Sequence, residues 1–338
     1  MTAPVPPVAA TPLPAPRGPV SARLISALAG PPGDITDPGR AVPDTEDLVL
    51  ALQVCYELHY RGYPGVADGW EWHPPLLAFR ARLETVFDRE LRALVDVPEV
   101  TPAELPRALF ALAAADDSPS LAGYVQRQAT LGQVRELLIH RSAYQLKEAD
   151  PHTWAIPRLT GRAKAALVEI QTDEYGGGRA ERMHSALFAA TMRAAGLDDT
   201  YGAYVDQVPA VALAGSVAAS YFGLHRGRRG ALVGHLAALE MTSSIPMRKY
   251  GNGLRRLGFD ATATRFFDEH IEADAVHEQV AAHDLCGALA AAEPELTGDI
   301  LLGAAVCLAL DGRLATHLLG RWQQGLSSLR EPRETVAA

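Results

Sequence analysis

This sequence predicts an all-α protein, and three features of it carry the prediction. From about Asp44 onward, apolar residues recur at i, i+3, i+4 and i+7 with charges between them, which is the period of a helix with one buried face. Alternating apolar and polar runs of the β type are nearly absent, and Gly or Pro marks most joints between periodic stretches. The expected architecture is therefore a bundle of about ten helices with short connections.

The elements follow in order. Residues 1–45 are rich in Pro and Ala (APVPPVAATPLPAPRGP, then AGPPGDITDPG) and predict a disordered or extended tail. Within it, VSARLISALAG predicts one short amphipathic helix that ends at Gly30. DTEDLVLALQVCYELHYRG opens on an acidic capping turn and stops at Gly62, and PPLLAFRARLETVFDRELRALV repeats the helical period. With TPAELPRALFALAAA they form an N-terminal helical region, 46–125, suited to dimerisation. The breaker cluster DDSPS lies in the joint at 111–123. The remaining helical stretches, over 126–330, make up the expected catalytic domain.

Composition excludes several function classes. A net charge of -9 argues against a nucleic-acid-binding surface. No run of 18 apolar residues is present to span a membrane. Cys55, Cys286 and Cys307 show no CxxC spacing and are odd in number, which argues against a disulfide framework or a thiolate zinc site and for a reducing cytoplasm. The start of the chain lacks a basic segment followed by an apolar one, so no signal peptide is expected.

Metal-type residues cluster in the second half. In His270-Ile-Glu-Ala-Asp274-Ala-Val-His277 the three candidate ligands sit at i, i+4 and i+7, about 40° and 20° in azimuth from the first. Two imidazoles and a carboxylate then leave one helix face together, a mixed N/O set suited to iron or manganese. Glu181-Arg-Met-His184 is a Glu-x-x-His pair, the i, i+3 element of carboxylate-bridged dimetal bundles, set against the apolar stretch SALFAATM. Glu174 lies two turns upstream, about 20° off the stripe of Glu181. Gly176 to Gly178 interrupt the helix between them and predict a bend that opens access to a metal. Glu148 in AYQLKEAD and Glu240 in GHLAALEMTSS add a carboxylate from each of two further helices. Arg248 and Lys249, after Pro246, are candidate substrate-reading cations, as Tyr175, Tyr221 and Trp154 are candidate pocket aromatics; surface charges and core rings are the simpler account of them.

EIQTDEYGGGRAERMHSALF, HLAALEMTSSIPMRKY and FFDEHIEADAVHEQ together resemble the heme-oxygenase-like diiron oxidases and oxygenases, over roughly residues 130–290. The resemblance implies a heme-oxygenase-like helical bundle, here with an N-terminal helical extension. It implies six core ligands at Glu148, Glu181, His184, His270, Asp274 and His277. Glu174 matches an extra carboxylate of N-oxygenating members, and Glu240 a further acidic position near the metal. It also implies two Fe(II)/Fe(III) ions, O2 as co-substrate, an external electron donor and a homodimer, with no catalytic side chains beyond the ligands. The expected activity is oxidation of a small amine- or amino-acid-derived molecule in natural-product biosynthesis, N-oxygenation favoured over desaturation or C–C cleavage of an amino or fatty acid. An iron-storing or purely structural bundle is the non-enzymatic alternative. True heme degradation needs one axial histidine and an apolar slot rather than this many converging donors, and a Soret band separates the two.

Overall fold

Short-range caps and prolines set where the helices begin. A computed structural model describes residues 11–35 and 43–331, the side chains of 272–275 excepted. Proline occupies the first turn of α1 (Pro19–Leu28), α3 (Pro74–Leu94) and α4 (Leu105–Ala114), where its missing N–H costs nothing. The Asp44 carboxylate accepts the Asp47 N–H at 2.9 Å to start α2 (Thr45–Glu57). Ser120 caps α5 (Leu121–Arg127), and Thr130 with Gln133 forms a capping box on α6 (Leu131–Gln145). Next come α7 (Asp150–Thr153), α8 (Gly161–Glu174), α9 (His184–Ala194), α10 (Ala210–Leu224) and the long α11 (Arg229–Arg256). Asp260 caps α12 (Ala261–Gln279), which runs into a π-helical stretch, Val280–Gly287, then α13 (Ala288–Ala292) and α14 (Thr297–Gln323). No strand occurs among the described residues, so the fold is all-α.

Helices α11 and α14 pack on each other along the centre of the bundle, and two glycines let their backbones touch. A Cβ on Gly234 of α11 would lie 1.8 Å from the Ile300 carbonyl oxygen, and one on Gly303 of α14 would lie 1.8 Å from that of Ala231. Only a residue without a side chain fits either crossing. Helix α12 packs on α11 and α9, and α10 on α14 and α2, so the donors carried by α8, α9, α11 and α12 face a common interior.

Two expectations need correction. Residues 11–35 are folded, inside the stretch that composition reads as a disordered tail. Val20, Leu24 and Leu28 of α1 are fully buried, and the Asp47 carboxylate accepts the Val20 and Ser21 N–H groups at 2.8 and 2.7 Å, an anion on a helix N-terminus. Arg17 is buried beside it, donating to Glu46 and to the carbonyls of Val205 and Val208. The six Pro and four Ala of residues 11–35 hide the few side chains that anchor such a segment. Residues 1–10 and 36–42 lie outside the described residues. The boundary at 125/126 is likewise no break in the core: Leu48, Leu52 and Phe79 share one buried cluster with Leu213, Leu236 and Ile300. Helices α4 and α5, on either side of 115–120, both pack against α11 and α14.

The cysteines Cys55, Cys286 and Cys307 are free and buried. No helix among the described residues is long and apolar enough to cross a membrane.

Candidate metal centre

The centre is assembled by a glycine turn. Helix α8 ends at Glu174, and Gly176, Gly177 and Gly178 follow with φ of 65°, 62° and 77°, the left-handed region that residues with a Cβ avoid. A Cβ on Gly176 would also meet the Arg182 backbone at 2.6 Å. The chain doubles back and starts α9 at His184, so the last residue of one helix faces the first of the next. His184 Nδ1 lies 3.0 Å from Glu174 Oε2.

That turn also explains why Glu181 is elsewhere. The Glu-x-x-His reading needs both residues on one helix, but α9 begins at His184 and Glu181 sits on a 3₁₀ turn, Ala180–Arg182, exposed to solvent. The structure does not bring Glu181 to the other donors. Glu174 stands beside His184 in its place.

Helix α12 presents His270 and His277 two turns apart on one face, as the spacing predicts. His270 Nδ1 donates to the Phe266 carbonyl at 2.7 Å, which turns Nε2 toward Glu148 Oε1, 3.6 Å away. His277 Nδ1 lies 3.3 Å from Glu240 Oε2, and its Nε2 lies 3.0 Å from Asp173 Oδ2. The Asp274 side chain, predicted to join them, lies outside the described residues. Glu240 comes from the middle of α11, where it is buried one turn after Leu236. Glu148 comes from the turn after α6. Its neighbour Ala149 has φ 75°, the one positive φ among the described non-glycine residues, a local strain of about 1 kcal/mol or more placed next to a donor.

Two groups of donor atoms result, each able to hold a metal ion. The atoms of Glu148, Glu174, His184 and His270 all lie within 4.8 Å of one another, and so do those of Glu174, Glu240 and His277. Glu174 belongs to both.

Burial and charge fit a cation. Glu148 Oε2, Glu174 Oε2, His184 Nδ1 and His277 Nδ1 are buried without a hydrogen-bond partner among the described residues. The 3.0 and 3.3 Å approaches of these histidine nitrogens to carboxylate oxygens are close enough for ion pairing but lack hydrogen-bond angles. Donor atoms that crowd one point without pairing is how ligands arrange around an ion. Burial would raise the Glu174 carboxyl, yet His184, His270 and His277 hold it below its usual range. Burial would lower His184, yet Glu174 raises it. Burial opposes His277 too, and Glu240 with Asp173 takes it up to about 9. In the metal-free chain, the neighbouring carboxylates thus favour the protonated forms of His184 and His277.

Sequence reading missed Asp173. The only signal for it is its place beside Glu174 at the end of α8, where an exposed carboxylate reads as a solvated one. It also missed the buried His152–His235 pair, 3.1 Å apart, in which neither ring faces a carboxylate within hydrogen-bond distance. A cavity of about 310 Å³ opens onto Glu148, Glu174, Glu240 and His270, with Phe188 and Leu236 in its walls. That volume suits a small molecule.

A family model described as iron-containing redox enzyme matches residues 135–312, just over half of the chain and every donor named above. No curated protein matches the chain.

Proposed function

Because the chain belongs to the iron-containing redox enzymes, a family of oxidoreductases, we propose that it is a non-heme diiron enzyme that uses O2 to oxidise a small amine- or amino-acid-derived molecule. The observation that carries this reading is the double membership of Glu174: two donor groups that share a carboxylate suit a pair of neighbouring ions. Glu148, His184 and His270 would complete one site. Glu240 and His277 would complete the other, with Asp274 of α12 proposed as its further ligand. Two Fe(II) ions held by these residues would supply electrons for the reduction of O2, with an external donor restoring the ferrous state.

The protein's own part is to aim, to neutralise and to keep dry. The Phe266 carbonyl fixes His270 with Nε2 toward the site, and Asp173 does the same for Nδ1 of His277. The carboxylates, hard and anionic, favour the ferric state, while the imidazoles limit the negative charge gathered at one point. Burial of Glu174, Glu240, His184, His270 and His277 keeps bulk water from the reacting centre. N-oxygenation is the reaction we favour, because Glu174 matches the additional carboxylate of N-oxygenating members.

Loading the apoprotein with Fe(II) under anaerobic conditions tests the proposal. We expect two irons per chain, no Soret band, and a transient visible absorption on mixing with O2 that Glu174→Ala abolishes. One iron or none per chain, or a band that survives Glu174→Ala, overturns it.

A further inference from the structure

The cavity at the donor cluster carries charge at its other end. Arg141 and Tyr144 of α6, and Glu148 in the turn that follows it, all line the cavity. Along α11, Glu240 and Tyr250 line it about 15 Å apart at about 1.5 Å per residue. Asp311 of α14 closes the arrangement, with Arg141 Nη2 at 2.6 Å from Asp311 Oδ1. Arg141 of α6, Tyr250 of α11 and Asp311 of α14 thus converge on one ion pair, about three helix turns from Glu240 along α11. Arg141 is 29% exposed and Asp311 52%, so the pair forms a lip rather than a buried bridge. Burial works against the Arg141 charge, and Asp311 with Tyr250 more than offsets it. Arg248 and Lys249, the cations that the sequence suggested, do not line this cavity.

We propose that the Arg141–Asp311 pair is the substrate-recognition subsite, and that it selects an α-amino acid whose side chain runs down the cavity toward Glu148 and Glu174. This rests on the proposed function, since it is the metal end that gives the side chain its destination. An arginine beside an aspartate offers plus and minus one side chain apart, and an α-amino acid offers the complementary minus and plus across one carbon. The guanidinium has five N–H donors in a planar fork, with Nη2 2.6 Å from Asp311 Oδ1 and Tyr250 beside it, and that fork suits a carboxylate. A simple fatty acid would set its carboxylate against Asp311 as well as Arg141, and a simple amine would meet the opposite conflict. Neither carries both charges, so each is rejected by one member of the pair. Between the two ends, Phe188, Leu236 and Leu239 give the cavity apolar wall for an aliphatic stem.

Equilibrium binding to the full chain, kept free of O2, tests this without turnover. The probes are unbranched L-α-amino acids of four to eight carbons, each with its des-amino acid and its decarboxylated amine. We expect at least one amino acid to bind about tenfold or more tightly than both of its mates. Arg141→Gln should cost that amino acid a further tenfold while leaving the amine within about threefold, and Asp311→Asn should cost the amino acid and the amine but spare the acid. Arg141→Lys should recover only part of the loss, because it lacks the planar fork. Far-ultraviolet circular dichroism of each variant, measured in parallel, reports that it is folded, and its iron content is measured beside it. No saturable binding across the series, or equal binding of acid and amino acid with Asp311→Asn silent, overturns the subsite. Failure of the metal reading appears separately, as ligand discrimination by a chain that holds fewer than two irons.

Discussion

Five histidines of this chain are almost equally buried and end in opposite charge states. His184 and His277, in the donor cluster, are raised, the latter to about 9. His140, His152 and His235, packed in the bundle elsewhere, are lowered: burial takes His140 to about 3 and His235 to about 4, and drives His152 well below its usual value. Burial pushes all five the same way. What reverses it is a carboxylate within ion-pairing distance, Glu174 for His184 and Glu240 with Asp173 for His277. His140 instead meets the Ser328 hydroxyl, and His152 and His235 meet each other. A buried histidine therefore says little by itself, and an acid counts only where no cation offsets it: His59, with Glu71 at 3.1 Å but Arg80 beside it, stays lowered.

The strongest way to break that contrast is to remove the acid common to both donor groups. Glu174→Ala should drop iron from two per chain to less than one and cut O2-dependent turnover by at least about a hundredfold, since metal loss removes the chemistry and not merely its tuning. His235→Asn, at matched burial, should keep both irons. Metal analysis of the two purified variants decides it; equal iron in both would mean that the contrast in charge state does not mark the metal site.

Acid titration sharpens the same comparison from the other side. A histidine whose folded pKa is lowered binds a proton more readily when unfolded, so the stability it contributes falls as pH drops below about 6.5 toward the folded value. His140 and His235 should each cost up to about 2 kcal/mol at pH 5, a window in which most carboxylates stay ionised. His184 and His277, being raised, already hold their protons there in the metal-free chain and add nothing to this loss. Urea melts of metal-free protein between pH 7 and 5 should show the decline, and His235→Asn should flatten it by about one proton. A pH-independent midpoint over that window would sink the assignment of neutral core histidines.

How much of this could be read from the chain follows from range. The helices were legible because their causes are local: Asp44, Thr130 and Asp260 cap within three residues, and the apolar period repeats within each segment. The pairing of His270 with His277 was legible for the same reason, being a property of one helix. Glu174 was legible as a carboxylate near the site but not as the residue shared between two groups, since that depends on a glycine turn folding α8 back onto α9. Arg141 and Asp311 are 170 positions apart in sequence and share no pattern, and only the tertiary fold makes them a pair. The ordered segment at 11–35 escaped because Arg17 finds its partners at Val205 and Val208.

A smaller effect tests the shell behind the ligands. Asp173 holds His277 through Nε2 while the other nitrogen faces Glu240. Asp173→Asn should weaken metal binding by about tenfold, in the lower part of the range for such outer carboxylates, because Asp173 is itself largely exposed. The loss should fall on the site of Glu240 and His277 and spare that of His184 and His270. A titration with Fe(II) under anaerobic conditions resolves the two steps, and equal weakening of both would place Asp173 outside this role.

The smallest predicted effect separates two accounts of the same motif. On the spacing of Glu-x-x-His, Glu181 is a ligand and Glu181→Ala should remove an iron. On the structure, Glu181 is exposed on the turn before α9 while Glu174 meets His184, so Glu181→Ala should leave iron content and its binding within about twofold, the scale of a substitution away from buried features. The comparison needs Glu174→Ala beside it, prepared and loaded identically. If Glu181→Ala is the variant that loses iron, then binding of metal must redraw the turn through Gly176 and Gly178, extending α9 backward by at least one turn so that Glu181 and His184 share a face. If only Glu174→Ala loses iron, the helix begins where the structure begins it, and the glycines rather than the i, i+3 spacing explain how this chain brings an acid to His184.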